Sequence, residues 1–191
     1  MTLARRTGVV TAVLISAGLV VSVAPALASE AGTAGAARCS NATGAPRDIT
    51  RQQAAGAIRC LINDQRRDHG RSKLHARSSL DSSARRHTRH MKGKRCFAHE
   101  CPGEPGLLSR VMATSYLPCG CFWSVGENIA WGERDLGTPR QIVSAWMKSP
   151  EHRANILNGR FQHIGVGVEW GTPRNPDSTG GVYTTDFGYK R

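Results

Sequence analysis

Carboxylates are scarce in this chain: 14 Asp and Glu stand against 26 Lys and Arg in 191 residues, a formal net charge of +12. That shortage favours anionic neighbours, which outside a cell are wall polymers, acidic glycans or lipid head groups; a solvated basic surface that aids solubility is the plainer reading of the same charge. No RNA- or DNA-reading motif appears, so nucleic acid is not an expected partner. The HExxH helix of zinc peptidases and the glycine-flanked serine of a nucleophile elbow are both missing, which removes the commonest hydrolase signatures. The one long apolar run, residues 9–23, is shorter than the roughly 20 residues a spanning helix needs. Internal repeats and a second domain are also absent, and the length suits a single medium domain with a real core.

The apolar run has a different reading. Arg5 and Arg6 precede it, and Ala26, Leu27 and Ala28 supply a small-residue cleavage pattern before Ser29, so residues 1–28 read as a signal peptide cut after Ala28 and the protein as secreted. Loss of Arg5 and Arg6, two of the 26 cations, leaves a mature chain at formally +10. Six cysteines (Cys39, Cys60, Cys96, Cys101, Cys119 and Cys121) all lie beyond that site, and an even count in an exported chain favours disulfides over zinc-thiolate binding. Cys39 with Cys60 would tie the N-terminal segment to the first helix, leaving four cysteines to pair among themselves. Residues 29–48, rich in Ala, Gly, Ser and Thr, read as a flexible segment held by Cys39, and residues 49–191 as the folded domain.

Within that domain Thr50 and Gln53 form a capping-box pattern, and Ala54, Ala57, Ile58, Leu61 and Ile62 give one apolar face to a helix ending at Gly70. Its polar side carries Asn63, Arg66 and Arg67, with two readings: hydrogen bonds to later loops, or a solvated face, the default. Leu80, Ala84, His87 and Met91 share a stripe of a second helix, making His87 a core-facing histidine satisfied by a hydrogen bond. Leu107, Leu108, Val111 and Met112 suggest a short third helix. Thr138-Pro139 and Ser149-Pro150 are two further helix starts, the second placing His152 in a first turn and leading to a left-handed stop at Asn158-Gly159. At such an N-terminus the imidazole is biased towards its neutral form. Ile164, Val166 and Val168 alternate with Gly165 and Gly167: one face of that strand is core, and the other admits a close neighbour. Residues 182–187 pair with it as an antiparallel hairpin, and flanking helices make an α/β/α layered domain.

Three residues stand out as a chemical set: His99, in a loop bounded by Cys96 and Cys101; Glu127, a lone carboxylate between Gly126 and apolar residues; and His152. Two imidazoles and a carboxylate are the groups that hold Zn²⁺ with an open position, or that form an acid–base pair around water. A buried Glu127 requires a charge partner.

The blocks Phe97-x-His99, Gly126-Glu127-Asn128-Ile129-Ala130, Trp146-x-x-Ser149-Pro150-x-His152-Arg153-x-Asn155-Ile156-Leu157, Phe161-x-x-Ile164-Gly165-Val166-Gly167 and Tyr183-Thr184-Thr185-Asp186-Phe187-Gly188 resemble the bacterial SCP-like branch of the CAP superfamily (cysteine-rich secretory protein, antigen 5, pathogenesis-related 1) over about residues 54–188. The resemblance implies a three-layer α-β-α sandwich with a central antiparallel sheet, and a cleft whose polar centre falls here on His99, Glu127 and His152. Members outside bacteria usually carry a second glutamate where this chain has Ser149, which leaves the cleft one carboxylate short. No single activity is shared across the family; its clefts are linked to zinc, to lipid or sterol binding, or to a structural hydrogen-bond network.

The expectation is therefore a secreted, monomeric, non-enzymatic module that binds an anionic polymer, lipid or host molecule. One alternative is a zinc hydrolase, peptidase or esterase, with His99 and His152 as ligands and Glu127 as base. Another is a small-lipid or sterol carrier walled by Phe122, Trp123 and Trp131.

Overall fold

The computed structural model describes residues 39–117 and 122–191; the leader expected at 1–28, its cleavage site, Cys119 and Cys121 lie outside the described residues. Helix α1 (Arg51–Asp68) begins as the capping box requires: Thr50 Oγ1 accepts from Gln53 N–H at 3.1 Å while Gln53 Oε1 accepts from Thr50 N–H at 2.7 Å. Its five expected apolar residues are all buried. The chain then forms β1 (His75–Ala76), α2 (Ser78–Gly93), α3 (Leu107–Met112), β2 (Trp123–Glu133), a short 3₁₀ turn, α4 (Pro139–Lys148), α5 (Pro150–Leu157), β3 (His163–Trp170) and β4 (Gly180–Lys190).

The strands form one sheet in the order β1-β3-β4-β2, antiparallel throughout except for the parallel pairing of β1 with β3. Alternation along β3 sorts the layers. Ile164, Val166 and Val168 face a core shared with Ile58 and Ile62 of α1 and Trp146 of α4. On the opposite face, a Cβ at Gly165 would run into the backbone of Leu80 and Asp81, and one at Gly167 into that of Ala84 and Arg85. The two glycines let α2 lie directly against the sheet, closing a three-layer α/β/α sandwich. Smaller clusters around Leu80, Val111 and Tyr116, and around Met91, Ile129 and Val182, fill the α2 side.

Several expectations are corrected here. Arg66 takes the hydrogen-bonding alternative and not the default: it is fully buried, and its guanidinium donates to the carbonyls of Ser72, Ile156, Asn158 and Phe161 at 2.7, 2.7, 2.9 and 3.3 Å. Two of those are end carbonyls of α5, so that helix finishes on an arginine instead of a left-handed turn, and Asn158 is extended at φ −61° and ψ 115°. Asn63 also turns inward, exchanging two hydrogen bonds with the backbone of Leu74. Strand β2 is an element that sequence pattern does not announce, since Gly126, Glu127, Asn128 and Gly132 interrupt its alternation. The described end of the N-terminal segment is held at more points than its cysteine: Ala42 is buried, and its carbonyl accepts from Arg140 N–H at 2.8 Å.

Cys39 is bridged to Cys60 and Cys96 to Cys101, with Cα separations of 5.6 and 6.0 Å. The first bridge closes a loop spanning 21 residues onto the face of α1. Cys60→Ser is expected to cost about 2–5 kcal/mol, read as a lowered midpoint in denaturant unfolding; an unchanged midpoint would mean that the bridge does not contribute. No helix among the described residues is long and apolar enough to cross a membrane.

Candidate functional site

Glu127 lies in mid-strand on β2, opposite Asp186 of β4, on the sheet face covered by α2. It is 6 % exposed, and its charge is answered from two directions. Arg110, itself 3 % exposed, reaches in from α3 and donates Nη2–H to Glu127 Oε2 at 2.6 Å. His99 places Nδ1 at 2.8 Å from Glu127 Oε1. Burial alone would raise the Glu127 carboxyl, but the hydrogen bond from His99, with the charge and hydrogen bond of Arg110, outweighs it and holds the group below its ordinary value. The required partners are thus His99 and Arg110, the second of which the sequence does not single out.

Arg110 also secures the loop that carries His99. Its Nη1–H groups donate to the carbonyls of His99 and Pro105, both at 3.0 Å, and the Cys96–Cys101 bridge closes the loop. Hydrogen bonding to Glu127 raises the His99 imidazole above its usual value, against the opposing effect of burial. Most of its ring remains open, with 58 % of the side chain exposed.

His87 is core-facing as expected and fully buried. Its Nδ1 is paired with Glu104 Oε2 at 2.8 Å, while Nε2 stands 3.7 Å from Glu127 Oε2 without a hydrogen bond. Burial is the main influence and pushes this imidazole towards its neutral form. Asp186 is fully buried, and neither carboxyl oxygen meets a partner in hydrogen-bond geometry. Burial first, then the charge of Glu127, drives its pKa well up, so Asp186 is a neutral acid beside an ionised one. Ser83 and Arg110 act on it in the opposite sense without reversing the outcome.

His152 is brought to this cleft by asparagines. Asn128 Nδ2 donates to the His152 carbonyl at 3.0 Å, and Asn155 Nδ2 donates to the Glu127 carbonyl at 3.1 Å and to Asn128 Oδ1 at 2.9 Å. These bonds fasten α5 across β2. The imidazole is biased neutral, as expected for a helix start, but the leading cause is burial, followed by the charge of His99. Glu151 acts on both histidines in the raising direction, so an exposed carboxylate stands at the rim although Ser149 is not one.

His99 and Glu127 are therefore in direct contact, and His152 is close enough to sense the charge of His99. The three do not converge as a ligand set. Among the described residues, the only group bringing three ligand atoms within 4.8 Å of one another is Cys39, Cys60 and Asp64, where the two sulfurs are bonded to each other. A carboxylate behind an imidazole is the arrangement that orients a metal-binding histidine, and Glu127 stands in that relation to His99.

The sequence agrees with this architecture. The profile of the CAP, cysteine-rich secretory protein family matches residues 60–183. The chain belongs to the CAP family. A relative, the uncharacterized protein YkwD of Bacillus subtilis (strain 168), is 41 % identical over 115 residues, covering 59 % of this chain and 41 % of the relative. The chain thus spans well under half of that relative's length. An extracellular protein containing a SCP domain from Bacillus anthracis superposes with a TM-score of 0.58 at 25 % identity, over 74 % of this chain and 44 % of that one. An outer surface protein from Borrelia burgdorferi gives 0.62 at 18 % identity, over 75 % and 97 %, a likeness of fold. The CAP motifs acquire physical roles here: Asn128 and Asn155 lock helix to strand, and Glu127 anchors His99.

Proposed function

We propose that this CAP domain is a secreted, non-catalytic binding module that presents a basic surface to an anionic extracellular ligand. The observation that carries the reading is the state of Glu127. Held by Arg110 on Oε2 at 2.6 Å and by His99 on Oε1 at 2.8 Å, 6 % exposed and kept below its ordinary carboxyl value, the carboxylate is a weak base fixed in a structural network, whereas a general base works best with a pKa near the operating pH. Support also comes from the excess of 26 basic over 14 acidic residues, and from the extracellular and outer-surface descriptions of the Bacillus anthracis and Borrelia burgdorferi proteins. The aromatics considered as lipid walls are divided: Phe122 and Trp123 border an open cavity with Arg160 and Tyr189, whereas Trp131 packs elsewhere, beneath Arg174.

A zinc-dependent reading retains one specific support, the exposed His99 ring oriented by Glu127. Titration calorimetry of Zn²⁺ into chelator-treated protein at pH 7.5 separates the two. The expected result is no heat beyond that of the His99→Ala/His152→Ala variant. Micromolar binding that needs both histidines, together with ester or peptide turnover lost in Glu127→Gln, would replace the binding-module reading with a hydrolase.

A further inference from the structure

Away from the cleft, two cavities of about 620 and 420 Å³ meet along the outer edge of the sheet, sharing Lys73 and His75 as lining residues. Strand β1 is the end strand there, paired only with β3. The cations of this edge differ in how far their charge is already engaged. Arg59 is paired with Asp81 at 2.8 Å, and Arg67 with Asp64 at 2.6 Å and Asp68 at 3.2 Å. Arg71, Lys73 and Arg77 are exposed, and among the described residues none of them forms an ion pair with a carboxylate.

Arg77 is also fixed in place. Its Nη2 lies 2.9 Å from Nε2 of His163, which is 7 % exposed, and His163 Nδ1 lies 2.7 Å from the Tyr116 hydroxyl. A guanidinium only donates, so His163 Nε2 accepts, and its remaining proton sits on Nδ1 facing Tyr116. Burial first, then the charges of Arg77, Lys190 and His75, keep that imidazole neutral, and burial pushes the Tyr116 hydroxyl up to about 12. The guanidinium is thereby held at the cavity wall before any ligand arrives, with the rest of its donor fork available. Ordering it in advance reduces the entropy lost on binding an oxyanion.

The lining also indicates what lies between the anions. Its only ring besides the imidazoles is Phe161, which is 3 % exposed. His75 is thus the one exposed ring of the lining, with His163 and Phe161 buried; a single small imidazole cannot stack a run of sugar rings or nucleobases, whereas a flexible polyol needs no such platform.

We propose that this edge is a binding site for a phosphodiester-linked polyol chain, with Arg77 gripping one phosphate and Arg71 and Lys73, on the segment leading into β1, its neighbours. The proposal rests on the binding-module reading and names its site and ligand class. The test is fluorescence anisotropy of a labelled oligo(glycerol phosphate) with the purified protein, beside a single-stranded oligonucleotide and an oligogalacturonate of matched charge. Arg71→Glu/Lys73→Glu is expected to weaken binding by about tenfold or more. Arg77→Lys, which keeps the charge but loses the fork, should weaken it about threefold or more. Lys148→Glu/Arg153→Glu, an equal change of charge on α4 and α5 beside His152, should leave it within about twofold.

Equal losses in both double variants would reduce the effect to net charge and overturn the site. Binding of the oligonucleotide or the uronate as tight as that of the polyol phosphate would overturn the ligand class. Loss only in Lys148→Glu/Arg153→Glu would move the anion site to the cleft, overturning this inference while the binding-module reading stands. Failure of all three polyanions to bind would overturn both.

Discussion

Arg110→Ala is expected to destabilise the protein by about 3–5 kcal/mol, because it strands the Glu127 carboxylate inside the fold without its charge partner. The native pair is 2.6 Å apart, with both side chains almost fully buried. Truncation also removes the two hydrogen bonds that hold the carbonyls of His99 and Pro105. Urea unfolding followed by fluorescence of the four tryptophans measures the loss. A double Arg110→Met/Glu127→Met variant should recover much of it, since removing both partners leaves no orphaned charge. A single-variant loss below about 1 kcal/mol would mean that water reaches Glu127 and the pair is ordinary surface electrostatics. The sign with pH follows from the depressed carboxyl: its contribution is complete above the ordinary value of 4.5 and is lost as pH falls through the lower folded value. Arg110→Ala takes away one of the charges holding that value down, so its acid unfolding should begin at higher pH.

Gly165→Val is the second large effect, expected at about 3 kcal/mol or more and sufficient to prevent recovery of soluble protein. The obstacle is the backbone of Leu80 and Asp81, against which a Cβ at residue 165 has no room; backbone cannot swing aside as a flexible side-chain tip can. Admitting valine would lift α2 from the sheet and, with it, His87 and the floor beneath Glu127. Gly56→Ala is the informative contrast. Gly56 is a helical, exposed glycine with nothing within 4 Å of an added Cβ, so alanine should stabilise by about 0.5–1 kcal/mol through helix propensity alone. Thermal melts of the two variants read the difference directly; a well-folded Gly165→Val protein would show that α2 packs less closely than its glycines imply.

How much was legible in the sequence depended on whether the cause was local. The Thr50 cap, the stripe of α1 and the glycine alternation of β3 are each decided by neighbours in the chain, and each appears where the pattern placed it. The alternation even indicated which face of β3 a helix would approach. Strand β2 was not legible because its placement comes from pairing with β4, remote from it in the chain, and its own residues include glycine, asparagine and glutamate, poor strand formers taken singly. Glu127 could be recognised as a buried charge in want of a partner, but Arg110 could not be named: one arginine on a six-residue helix looks the same whether it faces water or a carboxylate. That Arg66 could bond to later loops was readable, but its acceptors were not, since the carbonyls that receive it lie up to 95 residues away in sequence. His99 and Glu127 do meet, which composition and spacing had no means to require.

That reach of Arg66 makes the domain indivisible for anyone wishing to move it. A transplant that took α1 and the sheet edge but stopped short of Phe161 would carry a cation into the interior with its acceptors left behind, and no surface redesign would repair that. The unit of exchange between longer proteins therefore has to include both ends of this bond set. Conversely, a host loop inserted at residues 174–177, where the chain is exposed or half-exposed beyond the buried Thr172 and runs outside the carbonyl cradle, leaves the clamp untouched and is a place where this scaffold could accept new sequence.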